Sequence, residues 1–161
     1  MSTEHQTEQG GAKVRLPPPL VFVGFIVVGL LLQWLVWPLG LRLELAPRLV
    51  VGLLLVAAGV GLGGWSTVRF RRTGQDPAPW KPSPSLILDG PYRFSRNPIY
   101  TGMTLVQLGV GISAGNGWIV LLAPLALLIV HVTAVLPEEA YLGERFGESY
   151  LRYKESVRRY L

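Results

Sequence analysis

The 161 residues are half hydrophobic and only 16% charged, which excludes an ordinary soluble domain and makes the bilayer the natural solvent. Cysteine is absent, ruling out disulfides, thiolate metal sites and a cysteine nucleophile, and His5 and His131 are too few for a multi-histidine metal site. The formal charge of +5 does not point to nucleic acid, because the basic residues flank apolar runs and form no recognition helix or aromatic-studded sheet.

Residues 1–15 are polar without periodicity and read as a disordered tail. From Leu20 to Leu41 there are 22 residues without a charge and with only Gln33 strongly polar, which suits a span needing roughly 20 apolar residues. A cleaved signal peptide would have a shorter apolar region and a small-residue cleavage site, so an uncleaved anchor is expected. Arg48 and Arg69 bracket the 20 uncharged residues of a second span, Leu49 to Val68. Its glycines at 52, 59, 61, 63 and 64 fit either close approach to a neighbouring helix or simple tolerance of glycine in membrane helices.

Residues 73–84 carry four prolines and predict an extended connector. A third span is expected from Ile99 to Ser113 and a fourth from Trp118 to Leu136, joined as an antiparallel hairpin by the turn Ala114-Gly115-Asn116-Gly117. At 1.5 Å per residue the third covers about 22 Å against a hydrocarbon core of roughly 30 Å, so its polar start is expected to dip toward the membrane interior. Gln33 and Asn116 read as interhelical or turn hydrogen-bonding residues. Glu138 to Tyr160 reads as one charged amphipathic helix, with Glu144, Glu148 and Arg152 at four-residue spacing.

Of the 15 lysines and arginines, two precede the first span, two lie between the first and second, six between the second and third, none in the hairpin turn and five after the fourth. The positive-inside rule then puts both termini and segment 65–98 in the cytoplasm and the hairpin turn outside. The expected fold is all-α and integral to the membrane, with four transmembrane helices and a cytoplasmic amphipathic C-terminal helix. No internal repeat of fixed period is present.

The chemistry concentrates in two clusters. Gly90 to Tyr100 holds two prolines, two arginines and two tyrosines in eleven residues. Arg96 and Tyr100 share a face once a helix starts near Pro98, and its free N–H groups with Arg93 and Arg96 suit a carboxylate or phosphate. The same arginines would also suit lipid headgroups. Glu138 and Glu139 follow the fourth apolar run, where a helix C-terminus disfavours negative charge, so they want a cation: Arg93, Arg96, Arg145 or a ligand ammonium. His131, seven residues before Glu138, either faces the same cavity or bonds a neighbouring backbone group.

Gly90-Pro91-Tyr92, Arg96-Asn97-Pro98-Ile99-Tyr100, Glu138-Glu139 and Phe146-Gly147-Glu148-Ser149-Tyr150-Leu151-Arg152-Tyr153 together resemble the isoprenylcysteine carboxyl methyltransferase family, whose superfamily includes phospholipid methyltransferases. The resemblance divides the chain into the tail 1–15, a transmembrane scaffold 16–64 and a catalytic region 65–161. It implies an S-adenosylmethionine-dependent membrane methyltransferase, with its cofactor on the cytosolic side and a lipophilic substrate entering from the bilayer. Carried over by position, the cofactor contacts are Ser85, Leu86, Ile87, Tyr92, Asn97, Pro98, Ile99, Tyr100 and Glu138, with Glu138 binding the methionine ammonium and Tyr92 and Tyr100 shaping the pocket. Arg96, Glu139 and His131 are the candidate catalytic residues, Arg96 as an anion holder and the other two as bases.

Two positions depart from the pattern. Asn97 stands where histidine is most frequent, and it can hydrogen-bond but not titrate. Ala134 stands where prenylcysteine enzymes resemble one another in an arginine for the substrate carboxylate. The expected reaction is in-line methyl transfer to a lipophilic acceptor, a prenylcysteine-type carboxylate or related group. The alternatives are a phospholipid or small-amine N-methyltransferase, a nicotinamide-binding sterol reductase relative and a non-catalytic lipid-binding protein. Membrane lipids are the expected partners, the oligomeric state is left open, and the expected home is a bacterial inner membrane.

Overall fold

The computed structural model describes residues 10–160; residues 1–9, with His5 and most of the expected tail, and Leu161 lie outside the described residues. The described residues form six α-helices in the order α1 (Pro18–Leu35), α2 (Leu45–Arg72), α3 (Pro98–Ala114), α4 (Gly117–Val130), α5 (Leu136–Phe146) and α6 (Glu148–Ser156). A 3-10 turn, Gly90–Arg93, precedes α3, and a π-helical turn, His131–Val135, joins α4 to α5. The described residues form no β-strand; one isolated bridge pairs Gly40 with Asn116.

Among the described residues, three helices are long and apolar enough to cross a membrane: α1, α2 and the 30-residue rod Gly117–Phe146 that joins α4, the π turn and α5. The remaining expected span, α3, is the short one. With 17 residues, α3 reaches about 26 Å, short of the roughly 30 Å core. Side chains of α1 and α2 project outward, Trp34 at 85% and Leu35 at 77% exposure among them, as expected where lipid rather than water is the solvent.

Close backbone approach holds α3 against α2. A Cβ on Gly59 would lie 2.5 Å from the carbonyl oxygen of Gly102, and one on Gly109 would lie 2.5 Å from that of Gly52. The two contacts recur seven residues apart on each helix, and the antiparallel backbones meet where neither bears a side chain. Gly61 and Gly64 face open space, so both readings of the α2 glycines hold, each for different positions.

The turn after α3 forms as the sequence predicts. Gly115 takes φ +65, which suits the residue that ends a helix, and the Asn116 side chain accepts from the Ile119 N–H at 3.2 Å while its Nδ2 donates to the Gly29 carbonyl at 3.2 Å. Gln33 Oε1 accepts the Leu39 N–H at 3.0 Å and closes the end of α1.

Pro137 shapes the rod. Lacking an N–H, it cannot bond the carbonyl four residues back, Thr133, and its ring would press on that carbonyl in a regular helix. The π turn makes room, and Leu136 N–H reaches back to the His131 carbonyl. The Thr133 carbonyl instead accepts from Arg15 N–H at 3.4 Å, while Gly11 and Ala12 N–H bond the Trp80 and Pro79 carbonyls at 3.2 and 2.9 Å. The end of the expected disordered tail is thus tied down.

Two further expectations are corrected. The rod does not stop at Leu136, so Glu138 and Glu139 lie in the first turn of α5 and not at a helix C-terminus. Nor is Glu138 to Tyr160 one helix: Gly147, at φ +50, separates α5 from α6 and interrupts the Glu144, Glu148, Arg152 ladder. After Ser156 the chain turns extended at Val157.

Candidate functional site

The segment before α3 is a folded platform. Gly90 adopts φ +60 against the Arg69 side chain, and Arg69 pairs with Asp89. The following turn buries Tyr92, whose ring meets Phe70 edge-on at 5.8 Å and whose carbonyl accepts from Tyr153 OH at 2.7 Å. Burial pushes the Tyr92 phenol well above its ordinary pKa, helped by the nearby Glu138 and Tyr153 charges and opposed by a hydrogen bond with Ser66. It is a neutral phenol at physiological pH. Ser95 Oγ accepts the Asn97 N–H at 3.2 Å, and Pro98 starts α3.

One turn into α3, Tyr100 Oη lies 3.0 Å from each carboxylate oxygen of Glu138. Successive residues on a helix diverge by about 100°, and the two carboxylates of α5 separate accordingly. Glu139 takes the protein's cations: Arg96 Nη1 at 3.0 Å, Arg159 Nε and Nη2 at 2.8 and 2.9 Å, and Lys154 Nζ at 3.9 Å. Glu138 has no cationic partner among the described residues. Of the cations expected for this pair, Arg96 is present, whereas Arg145 stacks toward Tyr141 and Phe146 at 6.0 and 5.8 Å and Arg93 is exposed. Arg159 was missed by sequence reasoning, because nothing in its basic run distinguishes it from Arg158.

The Arg96 side chain is only 8% exposed. Its Nη1 approaches Glu139 off the hydrogen-bonding direction, leaving Nε and Nη1 buried without an acceptor. Such orphaned donors are costly unless a ligand meets them.

These groups border a cavity of about 360 Å³. Ser85, Leu86, Ile87, Tyr92, Arg96, Asn97, Pro98, Ile99, Tyr100, Glu138 and Glu139 all line it. His131 does not: its Nδ1 lies 2.9 Å from Tyr160 OH. Sequence reasoning missed Trp80, Tyr141, Tyr150 and Tyr153 in the same wall. Tyr150 and Tyr153 stood in the quoted motif without an assigned role, and the tryptophan inside a proline-rich connector offered a further signal. Gln75 Nε2 donates to Ser85 Oγ at 2.9 Å and Ser83 N–H to Tyr141 OH at 3.1 Å, which hold the connector in place. Ala134 is fully buried with Phe22, Tyr100, Val130 and Val135.

A second, apolar groove runs between α1, α2 and α3, lined by Phe22, Val23, Ile26, Val60 and Val106 among others. It shares Pro19, Thr67, Ile99 and Met103 with the first cavity.

The model of the phospholipid methyltransferase family matches residues 47–149, more than half of the chain. The chain belongs to the phospholipid methyltransferase family. The matched stretch contains all but the first two residues of α2, the platform, α3, Glu138 and Glu139, which agrees with the resemblance drawn from the motifs. The protein-S-isoprenylcysteine O-methyltransferase of Schizosaccharomyces pombe is 38% identical over 72 residues, 45% of this chain and 30% of that protein. An uncharacterized protein of Haemophilus influenzae is 33% identical over 63 residues, 39% of this chain and all of that protein. The chain thus aligns with less than a third of the fission-yeast enzyme. Membership in this family and the apolar helices make it an integral membrane protein of a methyltransferase family.

Proposed function

We propose that the protein transfers a methyl group from S-adenosylmethionine to a lipophilic acceptor. The observation that carries this reading is the pairing of opposites in one cavity: the Glu138 carboxylate without a cation beside Arg96 donors without an acceptor. A zwitterionic amino-acid moiety satisfies both, its ammonium on Glu138 and its carboxylate on Arg96.

When bound, the cofactor supplies an electrophilic methyl group on a sulfonium. Glu138 and Arg96 would hold its methionine end, and Tyr92, Trp80 and Tyr141 offer the apolar and aromatic wall that suits adenine. The folded connector 76–87 forms one wall of the cavity through Pro77, Pro79, Trp80, Leu86 and Ile87. The Glu139 carboxylate is held at both oxygens by Arg159, and His131 faces Tyr160. The chain therefore contributes orientation and desolvation in preference to a base. An acceptor with a hydrocarbon tail fits the apolar groove that meets the cavity at Ile99 and Met103.

Ala134 favours a second reading, an amine acceptor of the phospholipid or small-molecule kind. Its place in a closed apolar cluster leaves no cation where a carboxylate acceptor would want one. In the proposed topology α3 completes a fourth, short pass, and the 13 basic residues outside the α1–α2 connector and hairpin turn put the cavity on the cytoplasmic side. A bacterial inner membrane is the proposed home, in keeping with the full-length match to the Haemophilus influenzae chain.

Calorimetric titration of the detergent-purified protein with S-adenosylhomocysteine tests the cofactor reading; saturable binding supports it and none at about 1 mM ligand defeats it. Lipid mass spectrometry of expressing cells, read for species gaining one CH2, identifies the acceptor class.

A further inference from the structure

We infer that segment 157–160 is a strap that keeps the cavity's anion-binding side ready, with Arg159 as the positioning residue. The inference rests on the proposed cofactor reading and concerns why Arg96 stays available.

The strap bonds the platform through its main chain. Arg158 carbonyl accepts the Arg96 N–H at 2.9 Å, and Arg159 carbonyl accepts Asn97 Nδ2 at 3.0 Å and Ser95 Oγ at 3.4 Å. Asn97 stands at the N-cap of α3 but makes no side-chain cap, so its amide is oriented by the strap and not by its own helix. Tyr160 OH fastens the far end to His131 at 2.9 Å.

The side chain of Arg159 acts on charge. Its guanidinium grips both oxygens of Glu139 at 2.8 and 2.9 Å, the two-pronged geometry that best satisfies a carboxylate. Glu139, 9% exposed, then has little further demand for Arg96, which lies at 3.0 Å but off axis with Nε and Nη1 unclaimed. Without Arg159, a nearly buried carboxylate would compete with the ligand for Arg96. Arg159 therefore spares Arg96 for the ligand's carboxylate without touching the ligand.

The test is S-adenosylhomocysteine affinity by calorimetry on purified full-length protein, with helix content and melting temperature recorded for each variant. Arg159→Gln is expected to weaken binding at least about tenfold, and adding Glu139→Gln to it is expected to recover most of that loss, because the competing charge is gone. Arg159→Lys should fall between wild type and Arg159→Gln, and it supplies the comparison if Arg159→Gln fails to fold. Arg158→Gln should bind as wild type, since that exposed side chain takes no part. Unchanged affinity in Arg159→Gln and Arg159→Lys, or no recovery in a folded double variant, overturns the strap. Failure of the wild-type protein to bind overturns the cofactor reading itself.

Discussion

Tyr100 and Glu138 lie 38 positions apart and meet with the phenol oxygen 3.0 Å from both carboxylate oxygens. This contact joins α3 to α5 and orients the one carboxylate of the pair that has no cationic partner among the described residues. A hydrogen bond to a charged group contributes about 1.5–3 kcal/mol. Tyr100→Phe should therefore weaken S-adenosylhomocysteine binding by roughly 10- to 100-fold, while leaving the protein folded. Equilibrium dialysis beside a melting curve checks it; unchanged binding would detach Tyr100 from the site.

Arg96 and Arg93 lie three residues apart and should behave differently. Arg96 borders the cavity with two orphaned donors, whereas Arg93 is exposed. Arg96→Gln is expected to lower affinity by at least about 10-fold, the scale of one lost charge-assisted contact, and Arg93→Gln to change it less than about twofold. Equal losses from both would mean that the motif serves lipid headgroups.

The α2–α3 seam predicts a contrast in stability. Gly102→Ala places a methyl 2.7 Å from the Gly59 carbonyl oxygen, whereas Gly61→Ala meets nothing within 4 Å. The first should cost about 1–3 kcal/mol, and the second should be neutral or stabilise by up to about 1 kcal/mol. Thermal unfolding in detergent measures both.

These contrasts show what could be read from the chain. The apolar runs marked the α1, α2 and α4 segments because burial in lipid leaves a compositional imprint, and the motif at 90–100 stood out because its polar groups sit against such a run. Which α2 glycines pack was not legible, since that depends on the face α3 takes. The continuation of the rod past Leu136 was hidden by Pro137, whose local effect reads as a stop while the π turn accommodates it. Arg159 was hidden for another reason: a basic run near an amphipathic helix reads as solvated charge, and only the fold brings it to Glu139, 20 positions earlier.

Ala134→Arg tests the departure from the prenylcysteine pattern. Placing a guanidinium among Phe22, Tyr100, Val130 and Val135 overfills a dry cluster and buries an unpaired charge. The expected outcome is a large drop in melting temperature or in yield, without new activity on a carboxylate acceptor. A stable variant that methylates a prenylcysteine analogue would reopen that assignment.

The burial of Tyr92 carries a pH dependence. Its folded pKa lies above the unfolded value of about 10 because burial, then the Glu138 charge, disfavours the phenolate. The stability this lends is fully present below about pH 10 and falls as pH rises beyond it, because the unfolded chain can ionise first. Melting temperature measured from pH 8 to about 11 should decline at the alkaline end, and Tyr92→Phe should flatten that decline. An identical decline in the variant would assign the effect elsewhere.

Glu138 decides the account as a whole. Calorimetric titration of wild type and Glu138→Gln with S-adenosylhomocysteine should give saturable binding to the first and at least about tenfold weaker binding to the second. Equal affinities in two folded proteins would contradict the claim that this carboxylate receives the ligand's ammonium.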